Sequence, residues 1–263
     1  MWIKRLPADY YEQSSSFSNS LMLWRKENVY VMDNHLSAAW CWLQSCNPKK
    51  EYNFMHIDTH YDMLDCFHDE DLKPLRDNTL MSYEGFESLK RSKEPGKGIA
   101  VFRNDNYIMA LYTIYPNWFH TNMFLTQRKG SLLFNWGHTP PKIHNWEVCD
   151  IASYISKYIC SPNNNVTEFE DKDYKLPWIV NLDIDFFFEK NEPHSLRFSD
   201  EQIRHFAQVL NRGMQNIQVL TIALSPDCIN CKNIKKGWDD AFYVLKILSE
   251  EIPSLSEFPF PEV

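Results

Sequence analysis

Five apolar runs of strand length, each closing on polar residues, constrain this chain more than any other feature. They cover 28–32 before Asp33-Asn34-His35, 52–57 before Asp58, 131–134 before Asn135, 178–182 before Asp183, and 219–224 before Ser225-Pro226-Asp227. Apolar runs this short suit strands buried on both faces. Helical patterns lie between them, over 37–46, 150–159, 200–212 and 238–251. The third has Ser199 as N-cap, Gln202 completing a capping box and Gly213 just past its end. Strands alternating with helices predict an α/β fold in three layers, a mostly parallel sheet with helices on both faces. No internal repeat or long linker divides the chain, so 1–263 reads as a single domain.

Glycine usage narrows the chemistry. Seven glycines in 263 residues is under half of the ~7% in average usage. Neither G-x-G-x-x-G nor G-x-x-x-x-G-K-[ST] occurs, which removes dinucleotide and phosphate-loop readings. A net charge of −8 argues against nucleic acid as partner and favours a cationic substrate. Seven cysteines form no regular framework, and Cys228-Ile-Asn-Cys231 lacks the second pair a zinc site needs, so it reads as two unlinked thiols. The start of the chain has no apolar signal segment and no run reaches a membrane span, so a cytoplasmic location without membrane association is expected.

The polar clusters carry the functional signal. In His56-Ile-Asp58-Thr-His60-Tyr-Asp62, the extended chain puts Asp58, His60 and Asp62 on one parity, able to converge on one point. Such a group is costly to bury without a cation. Asp183-Ile-Asp185 repeats the logic, ending one apolar run and preceding Phe186-Phe187-Phe188. His35 follows a third run. Blander readings stand beside these: Asp33 and Asn34 suit N-cap duty, and a lone D-x-D is common in acidic loops. Three clusters at strand ends favour metal. Four carboxylates and two imidazoles without thiolate suit Mn²⁺ or Fe²⁺ better than structural Zn²⁺. Six ligands exceed the need of one tetrahedral ion, so two ions about 3.5–4 Å apart are the natural model.

In order and spacing, Asp33-Asn34-His35, Asp58-Thr-His60-Tyr-Asp62 and Asp183-Ile-Asp185 resemble the three metal motifs of the ureohydrolase (arginase/agmatinase) superfamily. Together with Ile222-Ala-Leu-Ser225-Pro226-Asp227 and Gly237-Trp238, the match over about residues 28–245 resembles the divergent branch containing peptide arginases, which convert arginine to ornithine in ribosomally made peptides. The resemblance implies an arginase-like fold and two Mn²⁺ per chain held by His35, Asp58, His60, Asp62, Asp183 and Asp185, with Asp58 and Asp185 bridging. It implies hydrolysis of a peptidyl arginine guanidinium to ornithine and urea, with an arginine-containing precursor peptide as partner and a homo-oligomer as a further possibility. Asp62 would pass the proton. The imidazole shuttle of the family has no secure counterpart; His138 is the best placed, then His120. No glutamate stands where the family grips the guanidinium, and Asp227 is the nearest carboxylate, equally readable as a turn residue. The glycine-rich approach to the first metal histidine is also missing, with Val31-Met32-Asp33-Asn34 in its place. A ureohydrolase for a small free guanidino compound, a one-ion zinc deacylase and a non-enzymatic arginase-like module remain rivals. A binuclear phosphoesterase lacks its G-D and G-N-H segments.

Overall fold

The computed structural model describes residues 1–15, 18–65, 68–77, 81–91, 98–129, 142–144, 148–160, 175–189 and 195–261. Its strands are β1 (Trp2–Lys4), β2 (Leu23–Lys26), β3 (Val29–Met32), β4 (Asn53–His60), β5 (Asn122–Lys129), β6 (Lys142–His144), β7 (Trp178–Asp183) and β8 (Ile217–Ala223). They form an eight-stranded sheet in the order β1-β2-β3-β8-β7-β4-β5-β6. The pairs β1/β2 and β2/β3 are antiparallel; from β3 to β6 every neighbouring pair is parallel. The expected mostly parallel α/β sheet is therefore present. The strand expected over 131–134 lies outside the described residues.

Side-chain alternation divides the core into two apolar layers. Val29 and Val31, Met55 and Ile57, Val180 and Leu182, and Leu220 and Ile222 face one layer. That layer is built with α5 (Val148–Tyr154), α6 (Asp200–Gly213) and α8 (Ile234–Glu251). Tyr30 and Met32, Phe54, Ile179, and Val219 and Ala223 face the other, with α1 (Ala38–Ser45), α2 (Asp69–Asp77), α3 (Tyr83–Glu87) and α4 (Tyr107–Ile114). Strands buried on both faces need apolar residues at both parities, which is why they read as continuous apolar runs.

The helices follow their sequence signals closely. Ser199 Oγ accepts from Gln202 N at 3.3 Å and Gln202 Oε1 accepts from Ser199 N at 2.9 Å, the expected capping box of α6. The helix expected over 150–159 ends as α5 and continues in a π turn, Ile155–Cys160. The aromatic stretch 107–124 contributes to the core. It forms α4, a 3₁₀ turn Pro116–Phe119 and the start of β5, with Tyr107, Trp118 and Phe119 buried. A short helix, α7 (Pro226–Ile229), follows β8 and packs on α8. Gly237 makes that approach possible: a Cβ there would stand 2.2 Å from the Pro226 carbonyl oxygen.

β4 connects onward to β5 while its neighbour β7 connects the other way to β8. Chain direction thus diverges between β4 and β7, and ligands in open α/β sheets bind outside the strand ends at such a switch point. Among the described residues no helix is long and apolar enough to cross a membrane.

Candidate metal centre

β3, β4 and β7 deliver their polar residues to that switch point. After β3, Asn34 Oδ1 accepts from Leu36 N at 2.9 Å and starts a 3₁₀ turn, His35–Ser37, which aims His35 inward. Asp33 turns the opposite way. Its buried carboxylate accepts from Ser15 Oγ (2.7 Å), Ser20 Oγ (3.1 Å), Leu21 N (2.9 Å) and Met22 N (3.0 Å), pinning the segment before β2. β4 ends with Asp58 and His60 on one side, and Asp62 reaches the same point by a left-handed backbone at φ 51°. Asp183 closes β7 and its Oδ1 accepts from Asp185 N at 2.9 Å, so that a 3₁₀ turn, Ile184–Phe187, brings Asp185 back toward the centre.

All six expected ligands converge. His35 Nδ1 lies 2.9 Å from Asp62 Oδ2, 3.3 Å from Asp58 Oδ2 and 3.5 Å from Asp183 Oδ2. His60 Nδ1 lies 3.2 Å from Asp185 Oδ2 and 3.4 Å from Asp58 Oδ1. Three ligand groups have donor atoms within 4.8 Å of one another: His35/Asp58/Asp183, His56/Asp58/Asp62 and Asp58/His60/Asp185. Asp58 belongs to each, which is the position a shared carboxylate would take.

The electrostatics of this cluster are set by buried carboxylates facing imidazoles. Burial opposes charge on His35, but Asp183, Asp58 and Asp62 outweigh it and raise its pKa well above the ordinary imidazole value. For His60 the balance is similar, with Asp185 and Asp58 pushing it up to about 12 against burial. Burial and then the charge of Asp58 raise Asp62 to about 7. Asp183 is driven well above the carboxylate range by burial and by Asp185 and Asp58. Asp58 is the exception: despite burial, His35 and His60 hold it below the usual range. Such a concentration of buried carboxylate is what the charge of a divalent cation would offset.

One atom tests the fit directly. Asp58 Oδ1 accepts from His60 N at 2.6 Å, whereas Oδ2 is buried and has no hydrogen bond. The His35 and His56 imidazoles approach it at 3.3 and 3.4 Å, and a buried carboxylate oxygen without a hydrogen bond costs free energy that a cation would offset. The donors around it are carboxylates and imidazoles, the set that suits hard or borderline divalent ions.

α7 borders the centre, with Ser225 as the residue that joins it to β8. Ser225 donates to Asp183 Oδ2 at 2.7 Å from a left-handed conformation at φ 44°, fixing how α7 leaves β8. Asp227, expected near the substrate, instead accepts from Ser14 Oγ at 2.9 Å and makes no hydrogen bond to the cluster. Cys228 is reached by solvent. Crowding by protein and then the charges of Asp185, Asp183, Asp58 and Asp62 push its thiol well above its usual pKa. Cys228 and Cys231 are both free thiols. His120 sits just before β5, next to Glu51 at 4.0 Å and at the opposite end of the sheet, so it is not a proton shuttle here. His138 lies outside the described residues.

Three residues at the site had no role in the sequence reading. His56 Nε2 lies 3.4 Å from Asp58 Oδ2, and burial lowers its pKa to about 4. Asn181 Nδ2 lies 2.9 Å from His56 Nδ1, 3.2 Å from His35 Nε2 and 2.8 Å from the buried Tyr107 hydroxyl. Two of the three shared the parity of known candidates, His56 with Asp58 and Asn181 with Asp183. No family model matches the chain and no curated protein matches it.

Proposed function

We propose that the chain is a divergent ureohydrolase with an arginase-like fold, hydrolysing the guanidinium of a peptidyl arginine to ornithine and urea with two Mn²⁺ ions. The observation that carries this reading is the convergence of His35, His60, Asp62, Asp183 and Asp185 on Asp58, a buried carboxylate with one oxygen that makes no hydrogen bond. When bound, the two ions supply the Lewis acidity that makes water nucleophilic near neutral pH. His35, Asp58, His60, Asp62, Asp183 and Asp185 would hold the ions.

The chain's own residues do the remaining work. Water adds its oxygen to the guanidinium carbon, the bond to the side-chain nitrogen breaks, and that nitrogen leaves as an amine only after gaining a proton. Asp62, with its carboxylate 2.9 Å from His35 Nδ1 and partly open to solvent, is placed to hold that proton and deliver it. The anionic surroundings favour a cationic substrate over a neutral amide. Mn²⁺ plus an arginine-containing peptide should give ornithine by mass spectrometry and urea in equal amount. Turnover of free guanidino compounds with none of any peptide would overturn the peptide assignment, and turnover of neither would overturn the hydrolase.

A further inference from the structure

One level below the carboxylates, a row of polar side chains crosses three strands. His56 on β4 is paired in register with Asn181 on β7, which is paired with Thr221 on β8. All three are fully buried on the face that carries Phe54, Ile179 and Val219. Two residues further along the same strands and on the same face stand Asp58 and Asp183. The row is therefore the floor of the centre.

Its hydrogen bonds run in one direction. The Trp42 indole N–H, which is donor only, reaches Thr221 Oγ1 at 3.2 Å. Having accepted there, the Thr221 hydroxyl donates to Asn181 Oδ1 at 2.7 Å. That turns the Asn181 NH₂ toward His56 Nδ1 at 2.9 Å, so Nδ1 presents its lone pair and the ring proton sits on Nε2. His56 Nε2 then meets the backbone carbonyl of His60 at 3.1 Å, an acceptor only. A flipped Asn181 amide would force the proton onto Nδ1 and leave the Nε2 lone pair facing two oxygens, His60 O and Asp58 Oδ2. The polarity is set at the His60 end by the acceptor-only carbonyl; at the other end the Thr221 hydroxyl also has the Val180 carbonyl as an acceptor at 3.4 Å, and the Asn181 NH₂ also faces the Tyr107 hydroxyl at 2.8 Å.

We infer that Thr221, Asn181 and His56 are positioning residues, a one-way row that makes His56 a hydrogen-bond donor to the His60 carbonyl and keeps it out of the ligand set. The inference rests on reading the Asp/His cluster as a metal centre. His60 lies where β4 loses register with β5, between Asp58 and His60. A strand irregularity there aims both side chains at the centre, and the His56 N–H braces it across four residues. The same Asn181 amide also touches His35 Nε2, on the ring edge opposite the nitrogen facing the carboxylates. Outer partners of this kind orient metal ligands, and their loss costs about 10–100-fold in metal affinity.

The test uses substitutions that separate bracing from ligation. In His56→Gln the side-chain amide N–H replaces Nε2–H and no imidazole remains. The inference expects the wild-type number of ions and affinity within a fewfold, whereas His56→Leu binds metal 10–100-fold more weakly. Thr221→Val should weaken binding similarly, with Thr221→Ser restoring it. Side-chain ¹⁵N NMR of the metal-free protein should find the His56 proton on Nε2. A proton on Nδ1, or loss of an ion in His56→Gln, would overturn the inference. Wild-type protein that binds no metal would sink the metal reading instead, while the NMR result still decides the polarity of the row.

Discussion

Asp58→Asn is the substitution with the most sharply defined consequence. Asp58 is fully buried, and its Oδ1 accepts from the His60 amide at 2.6 Å, a bond that asparagine retains. The change falls on Oδ2, which becomes an NH₂ directed at His35 Nδ1, 3.3 Å away. For the metal-free protein, lost attraction to His35 and His60 is set against relieved repulsion from Asp62 and Asp183, so the metal-dependent shift in Tm is the quantity to read. At a metal concentration of about 100 Kd, binding stabilises the native state by about 2.7 kcal/mol. At about 2–4 °C per kcal/mol for a chain of this size, wild-type Tm should rise by about 5–11 °C. Removing one charged member of a buried, desolvated set costs about 3–5 kcal/mol, which carries the variant's Kd to or beyond that metal concentration. The shift should shrink to about 1 °C or less. Scanning calorimetry with and without Mn²⁺ measures it, and an Asp58→Asn protein that keeps the wild-type shift would refute a shared carboxylate at this position.

Other expectations follow from the surroundings. Because His35 and His60 are both held above the ordinary imidazole range, ligation at pH 7 must expel protons and metal affinity must rise with pH; calorimetric titrations in buffers of different ionisation enthalpy should show that release, and heats independent of buffer would contradict it. Ser225→Ala leaves Asp183 Oδ2 without its 2.7 Å donor and should cost about 1–3 kcal/mol in metal-free denaturant unfolding, an unchanged midpoint counting against that bond. Gly237→Ala drives a Cβ to 2.2 Å from the Pro226 carbonyl and must displace α7. It should lose about 1–3 kcal/mol and bind metal more weakly than wild type, since α7 begins at the serine that holds Asp183; unaltered stability and affinity would show that α7 does not set the site.

Much of this architecture is legible in the sequence because parallel strands buried on both faces announce themselves as apolar runs. The runs at 28–32, 52–57, 178–182 and 219–224 become β3, β4, β7 and β8, and the ligands fall where the first three of those runs stop. The capping box of Ser199 and Gln202 is legible for a local reason, since both bonds lie within one turn. β5 is less visible: it opens inside the aromatic stretch and includes Asn122 and Thr126, so its polarity hides a strand whose described residues are buried. Asp33 shows the limit of motif adjacency. It stands two residues from His35, yet four donors from residues 15–22 turn it away from the centre. Asp227 and Cys228 show the same limit, because one step along α7 exchanges the face toward Ser14 for the face toward the carboxylates. The row of His56, Asn181 and Thr221 is legible only from strand register, which a single sequence does not carry. Each residue alone reads as a buried polar side chain; the pairing of β4, β7 and β8 makes them one hydrogen-bonded unit.

The most direct measurement is the metal content of the purified protein after equilibrium dialysis against Mn²⁺, read by plasma emission spectrometry. Two ions per chain, falling below two in Asp58→Asn and in His60→Ala, is the predicted result. A chain that takes up no Mn²⁺, or the same amount with Asp58 and His60 replaced, would contradict it.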